Sequence, residues 1–266
     1  MSSHAGAAAL AVSTAEGLRV LQDGDHPLAA WLEAVDVVIV GLPDEAPSAD
    51  ASVIASALAT RFPRARWLVT ASLARDFPYN LARRIASLGE LTRARAGVAL
   101  RPSATVLPTA RGASPGELAR DGVQVLRALW QTWPVSSVVA DRERRLFVES
   151  SEIRVADHDG LWQARGPLQV PVAEAPPVAS WASDIGADLA LPAFDASHRL
   201  GLLGADAGPL AVFDPAEIPA AIGALIDDGW RKHDDALALR EVLGLGAAEP
   251  VLTASAPAFA RREIIL

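Results

Sequence analysis

The stretch of sequence that decides the fold is Trp67–Leu100, WLVTASLARDFPYNLARRIASLGELTRARAGVAL. It contains two short apolar runs, Trp67–Ala71 and Ala96–Leu100, and between them Tyr79–Leu91 repeats apolar residues with the period of an α-helix. A short, continuous apolar run is typical of a strand that is buried on both faces. The stretch therefore predicts a strand, a helix and a second strand, which is the unit from which parallel sheets are built.

The same alternation extends in both directions along the chain. It predicts further strands at 8–12, 35–40, 178–181, 189–191 and 210–213, and further helices at 51–62, 118–133 and 215–229. The segment from Asp141 to Pro171 is charged and irregular, and we expect it to be an insertion rather than a layer of the core. Repeated β–α alternation predicts an α/β protein, and both an eight-stranded barrel and an open doubly wound sheet fit it.

Composition excludes several classes of function. Of the 266 residues 51% are apolar, enough for a sizeable core, and the net charge of −8 argues against a nucleic-acid or anionic-membrane partner. Because Lys232 is the only lysine, Schiff-base chemistry is nearly excluded. The absence of cysteine excludes disulfides, thiol catalysis and cysteine-ligated metals, so any redox chemistry needs a bound cofactor.

Local motifs add little to these exclusions. No apolar run is long enough to span a membrane and the first residues lack the basic segment of a signal peptide, so we expect a cytoplasmic protein. Dinucleotide, P-loop and nucleophile-elbow motifs are absent. His233-Asp234-Asp235 is interpreted as a solvated helix end rather than a metal corner, and no metal site is predicted. Trp130 and Trp133 are expected to pack inward from one helix.

Four segments in chain order resemble one family. They are Thr70–Ala96, Leu126–Trp130 (LRALW), Asp157–Pro171 (DHDGLWQARGPLQVP) and Leu239–Leu245 (LREVLGL). Together they resemble the bacterial luciferase-like flavin-dependent monooxygenases, in the branch that contains the nitrilotriacetate and dibenzothiophene-sulfone monooxygenases. We expect one domain over residues 1–266, with the insertion at about 141–171 and a C-terminal tail at about 230–266.

The resemblance implies a fold and a chemistry. The fold is a contracted TIM-like (β/α)8 barrel with a small β/loop insertion, and its site lies at the carboxyl ends of the strands. The chemistry uses reduced FMN, supplied by a separate flavin reductase, and O2 to oxidise a small organic substrate. A homodimer or a heterodimer with a homologue is implied as well. Deazaflavin serves related families, but the motifs match the FMN branch better.

The chain departs from the family pattern at several cofactor positions. Gly41-Leu42 replaces an aspartate at a strand end, with Asp44 slightly beyond it, and Val98-Ala99 replaces a Trp-Asn dipeptide. Gly112 and Gly116 stand where the family has a histidine and a tyrosine. No catalytic residue is identified.

Two positions keep the residue type that the family uses for the cofactor, Thr70 and Ser183. Ser183 lies in a phosphate loop in which Trp181 replaces a glycine. The alternatives are a threonine that ends a strand and a serine that caps a helix at Asp184. Similarly, Asp76 is expected to cap the following helix, and Arg83 and Arg84 are expected at the surface or at an interface.

Two functions remain open at this stage. The first is a luciferase-like flavin monooxygenase with an altered site, and the alternative is a non-catalytic or regulatory paralogue that acts as a partner subunit. Relatives of this branch are longer, and the deficit falls at the N-terminus, in the loop from Arg101 to Gly116 and between Pro192 and Pro215. We therefore expect a contracted barrel.

Overall fold

The computed structural model describes residues 6–46, 49–73, 75–102, 112–194, 199–204, 208–210, 217–252 and 256–259. Strands within this part of the chain are β1 (Ala7–Val12), β2 (Val37–Val40), β3 (Trp67–Ala71), β4 (Ala96–Leu100), β5 (His158–Asp159), β6 (Gln163–Ala164), β7 (Val178–Ser180), β8 (Leu189–Ala190), β9 (Leu200–Leu203) and β10 (Gly208–Leu210). Helices are α1 (Thr14–Gln22), α2 (Ala29–Leu32), α3 (Ala51–Arg61), α4 (Pro78–Thr92), α5 (Pro115–Trp130), α6 (Ile218–Asp227) and α7 (Leu239–Val242).

The main sheet has the strand order β10-β9-β1-β2-β3-β4-β7-β8. From β1 to β8 each strand is parallel to its neighbour and follows it in the chain, apart from the β5–β6 hairpin, as in a (β/α) barrel. On the other side of β1 the pairing becomes antiparallel, with Ala8 opposite Leu202 of β9. The sheet is therefore part of a barrel extended by an antiparallel pair, and of the strand predicted at 210–213 only Leu210 lies within the described residues.

The parallel strands are apolar because both faces of the sheet are covered. All residues of β1 and β2, and all residues of β4 other than the buried Gly97, are at most 2% exposed. One face packs against α1, α3, α4 and α5, and the other packs against Phe194, Leu239 and Leu243. Because both faces are buried, apolar and polar residues do not alternate along these strands. A continuous apolar run is therefore the feature that marks each strand in the sequence.

Capping residues fix where the helices begin. Ser13 and Glu16 form a reciprocal capping box at α1, and Ser114 and Glu117 form another at α5. The helix predicted at 118–133 is shifted to 115–130 because Ser114 starts it earlier. Trp133 therefore lies beyond the helix and is half-buried, and its indole donates to Ser137 Oγ at 3.1 Å, so the prediction that it packs inward from the helix is wrong.

The irregular segment before β7 packs against α4 and α5. In the β5–β6 hairpin, the Trp162 indole donates to the Leu118 carbonyl of α5 at 3.0 Å and packs edge-on against Phe77. His158 Nε2 lies 2.9 Å from Asp121 Oδ1, and Asp121 also accepts from the Trp162 amide. These contacts hold the segment over the start of both helices.

A buried polar cluster closes the amino ends of β1–β3. Asp36 is fully buried and accepts from the Ala8 amide at 2.9 Å, the Trp230 indole at 3.2 Å and the His233 amide at 2.8 Å. Arg66, also buried, donates to the Leu237 carbonyl at 3.0 Å. The interpretation of His233 as a solvated helix end is therefore wrong, because α6 ends at Asp227 and the chain turns back under the sheet to complete the bonding of Asp36.

Candidate functional site

A cavity of about 320 Å³ opens at the carboxyl ends of β1–β4. Its size falls within the range of small-molecule sites, and its place in the fold is that of barrel active sites. We call it the strand-end cavity. Its polar lining comes from strand ends, loops and the first turns of helices: Thr14, Glu45, Asp50, Ser52, Thr70, Ser72, Arg75, Asp76, Arg84 and Arg101.

Thr70, one of the two predicted cofactor residues, lies in the wall of this cavity. Its side chain is half-buried near the end of β3, and its hydroxyl donates to the Gly41 carbonyl at 2.7 Å. Gly41 has φ +97°, and a Cβ there would lie 2.9 Å from the Thr70 Cβ. The strand end that lacks the family's aspartate is thus packed directly against Thr70, whose hydroxyl oxygen retains lone pairs for a ligand.

Glu45, which belongs to no motif recognised in the sequence, supplies the carboxylate at this strand end. Its Oε1 accepts from the Thr14 amide at 2.7 Å, and its Oε2 accepts from the Leu42 amide at 2.9 Å. Asp44, which lies slightly beyond the strand end, is exposed. Glu45 fastens the start of α1 to the loop after β2, a role that no local pattern in the sequence reveals.

Arg84 links two carboxylates across the cavity mouth. It forms an ion pair with Asp50 and another, of 2.7 Å, with Asp76. Burial alone would raise the pKa of Asp50, but hydrogen bonds from Ser52 and the charge of Arg84 outweigh it and lower that pKa. The expectation that Asp76 caps α4 is wrong: Phe77 is the N-cap and makes no side-chain cap bond, while Asp76 pairs with Arg84.

Two further arginines line the cavity without an ion pair to any carboxylate in the described residues. Arg101 follows β4 and donates to the Glu45 carbonyl at 2.6 Å. Burial lowers the pKa of Arg101, and the nearby positive charge of Arg75 lowers it further, whereas Glu45 and Asp76 act in the opposite direction. The Arg101 guanidinium nevertheless stays protonated at neutral pH.

Ser183, the other predicted cofactor residue, is exposed in the turn after β7 and is not among the residues that line the cavity. No helix starts at Asp184, so the alternative interpretation as a helix cap is wrong. Asp184 and Gly186 have φ of +60° and +76°, and the Trp181 indole donates to the Pro192 carbonyl at 3.0 Å. Since β4 separates β3 from β7, the turn lies on the same sheet edge as Thr70, about two strand spacings or roughly 10 Å away.

The remaining altered positions contribute little to the cavity. Val98 and Ala99 are fully buried in β4, while Gly112 and Gly116 flank the start of α5. Residues 103–111 of the preceding loop lie outside the described residues. The buried Ser72 hydroxyl has no hydrogen-bond partner among the described residues, which leaves a polar group available to an oxygen-rich cofactor such as FMN.

Comparison with known proteins confirms the resemblance indicated by the motifs. No protein-family model matches the chain. The dibenzothiophene-sulfone monooxygenase of Rhodococcus erythropolis is 28% identical over 106 residues, which cover 35% of this chain and 23% of that protein. The chain is therefore similar to the luciferase-like flavin-dependent monooxygenases in sequence.

Solved structures confirm the TIM-like α/β barrel fold class. The EDTA monooxygenase from Chelativorans sp. BNC1 superposes with a TM-score of 0.53 at 23% identity, covering 68% of this chain and 47% of that one. A riboflavin lyase solved with modified FMN and riboflavin gives a TM-score of 0.53 at 19% identity, covering 65% and 49%. At this identity the likeness shows the fold alone, and the chain spans about half the length of these structures. Within the described residues, no helix is both long and apolar enough to cross a membrane.

Proposed function

We propose that this chain is a flavin-dependent oxidoreductase of the luciferase-like monooxygenase type, acting on a small organic substrate with reduced FMN and O2. The strand-end cavity carries the proposal, because it lies where barrel enzymes place their sites and Thr70, kept from the family pattern, lines it. The sequence likeness to the dibenzothiophene-sulfone monooxygenase supports the same chemistry.

In this proposal the chain's residues hold the cofactor and exclude water. The Thr70 hydroxyl accepts a hydrogen bond from the flavin ring while donating to Gly41, and the turn containing Ser183 binds the phosphate. Reduced FMN supplies the electrons with which O2 is activated. A separate flavin reductase delivers the reduced cofactor, and assembly is as a homodimer or a heterodimer with a homologue.

Binding of the cofactor tests the proposal directly. Calorimetric titration with FMN, and with reduced FMN under anaerobic conditions, should give a Kd below about 1 mM. Thr70→Val should weaken both, because it removes the hydroxyl and keeps the shape, while Thr70→Ser should retain binding. If neither form of the flavin binds, the monooxygenase proposal fails.

The phosphate turn has its own test. Ser183→Glu places a carboxylate beside the proposed phosphate position and should weaken binding of FMN, but not of riboflavin, which has no phosphate. The matched control is Ser136→Glu, which changes an exposed serine elsewhere. Equal binding of FMN by both variants would contradict the assignment of Ser183.

The loss of cofactor positions favours a second candidate, a non-catalytic paralogue that acts as a partner subunit. Gly41, Gly112 and Gly116 together replace three polar family positions. Stopped-flow reoxidation of reduced FMN by O2 distinguishes the two: an enzyme of the proposed type should alter the absorbance time course, whereas a paralogue that binds no flavin should leave it as in buffer.

A further inference from the structure

Two arginines that line the strand-end cavity, Arg75 and Arg101, repel each other electrostatically, and neither forms an ion pair with a described carboxylate. The Arg75 guanidinium makes no hydrogen bond or ion pair with any described residue. Arg101 donates only to carbonyl oxygens among those residues, at 2.6 Å to Glu45 and 3.4 Å to Pro43. Both guanidinium groups therefore carry donors of the kind that oxyanions accept.

The carboxylates of the cavity are already bonded to fixed donors. Both oxygens of Glu45 accept from backbone amides, Asp50 accepts from Ser52 and Arg84, and Asp76 accepts from Arg84 and the Ser72 amide. Their negative charge lowers the positive potential in the cavity, but none of these three carboxylates forms an ion pair with Arg75 or Arg101. The exposed guanidinium of Arg75 therefore keeps its donors for solvent or for a ligand that enters the cavity.

A buried hydroxyl adds an independent sign of a ligand. Ser72, which lines the cavity between β3 and Arg75, is 3% exposed, and its Oγ has no partner within the described part of the chain. A buried hydroxyl without a partner costs free energy unless a ligand or water satisfies it. The first turns of α1 and α3 also line the cavity, and helix amino ends favour negative charge.

We infer that Arg75, Arg101 and the Ser72 hydroxyl form an oxyanion subsite in the strand-end cavity. It takes a phosphate, sulfonate or carboxylate group. The acid group of an organic substrate supplies it if the FMN phosphate lies at the Ser183 turn, and an FMN phosphate bound here instead would overturn the assignment of Ser183. Arg75 contributes a charge-assisted hydrogen bond. Arg101 contributes a guanidinium whose position is fixed by the loop after β2, and Ser72 contributes a hydroxyl donor. Only the FMN source rests on the proposed function.

The test measures binding to the intact chain of methanesulfonate, acetate, inorganic phosphate, FMN and riboflavin, by calorimetry. The informative variant is Arg75→Gln, because Arg75 is exposed and unpaired, so its loss leaves the fold intact. Arg83→Gln is the matched control, since it removes an exposed arginine from nearby α4 outside the cavity. Ser72→Ala reports on the hydroxyl, and circular dichroism checks the fold of each variant.

We expect at least one of the anions to bind, Arg75→Gln to weaken it by about tenfold or more, and Arg83→Gln to leave it unchanged. A preference for FMN over riboflavin that disappears in Arg75→Gln identifies the flavin phosphate as the source. Equal binding of FMN and riboflavin, together with binding of methanesulfonate or acetate that depends on Arg75, identifies the acid group of a substrate as the source.

The two proposals can fail separately. If simple anions bind through Arg75 while neither flavin binds, the oxyanion subsite stands and the flavin chemistry fails. If no anion binds, or if Arg75→Gln and Arg83→Gln bind every anion equally, the oxyanion subsite is overturned whatever the flavins do.

Discussion

Asp36 is a carboxylate with no exposure that receives three hydrogen bonds from parts of the chain far apart in sequence. Two of the donors, the Trp230 indole and the His233 amide, belong to the segment after α6. Arg66 lies beside it and binds the backbone of the same segment. The side chain therefore stabilises a tertiary junction rather than a local turn.

Asp36→Ala should lower the free energy of unfolding by about 3 kcal/mol, because removing one member of a buried charged network leaves the others unsatisfied. Urea denaturation measures the change. Asp25→Ala, at an exposed aspartate, is the control and should stay within about 0.5 kcal/mol of the unmodified chain. A similar small change for both variants would show that Asp36 is not coupled to the junction.

Gly41 and Gly89 should respond in opposite ways to alanine. At Gly41 the positive φ and the 2.9 Å approach to Thr70 make Gly41→Ala destabilising by about 2 kcal/mol. Gly89 lies inside α4 with open space around its Cα, so Gly89→Ala should stabilise by about 0.5–1 kcal/mol. Thermal denaturation of the two variants gives the comparison, and two shifts of the same sign would contradict it.

At the scale of elements, an ion pair joins α1 to the start of the antiparallel pair. Arg199 lies next to β9 and donates to Glu16 of α1 at 2.7 Å. Burial would raise the pKa of Glu16, but the hydrogen bonds from Arg199 and Ser13 outweigh it and hold that pKa below its usual value of 4.5. A carboxyl whose pKa is lowered by folding stabilises the protein above its unfolded pKa and loses this contribution as the pH falls.

Glu16→Gln should therefore cost about 1–2 kcal/mol of unfolding free energy at neutral pH. The difference from the unmodified chain should persist down to about pH 5 and vanish as the pH falls through the folded pKa, below 4.5. Denaturation curves over pH 3–7 measure it, with Glu143→Gln at an exposed site as the control. A difference independent of pH would exclude this linkage.

Several elements in the first half of the chain are predictable because the sequence signals them locally. Apolar runs place β3 and β4 at their observed residues, and α3 and α4 are predicted to within one residue at each end. Neither α1 nor β9 is predicted from the sequence. For α1 a local signal exists, because Ser13 and Glu16 have the capping-box spacing, whereas β9 is an extra strand that pairs with β1 from about 190 residues away. Pairing over that distance leaves no periodic signal.

The site is less predictable than the fold for a related reason. Thr70 could be found because a family motif contains it, and it does line the cavity. Glu45, Arg75 and Arg101 come from three different loops after β2, β3 and β4, and only the sheet brings them together. Ser183 fits a loop motif, yet it follows β7, which β4 separates from β3, and it lies outside the cavity lining.

For the whole molecule, the strand order predicts how protection from exchange is distributed. Amides of β1–β4 should exchange slowest in native-state hydrogen exchange, because these strands pair on both sides and are buried on both faces. Amides of β8 and β10, which lie at the ends of the strand order, should exchange faster. Protection of β8 equal to that of β2 would indicate that further pairing closes the barrel there.

The junction around Asp36 also sets the order in which the chain can reach its native state as it is synthesised. The first four parallel strands pair with immediate neighbours in sequence, so they can associate while the rest of the chain is still emerging. Two of the three donors for Asp36 and the acceptor for Arg66 lie about 170–200 residues later, at Trp230, His233 and Leu237. Until those residues leave the ribosome, the charged side chains of Asp36 and Arg66 lack these partners at the amino ends of the strands. We therefore expect cooperative folding only after the late segment has been synthesised.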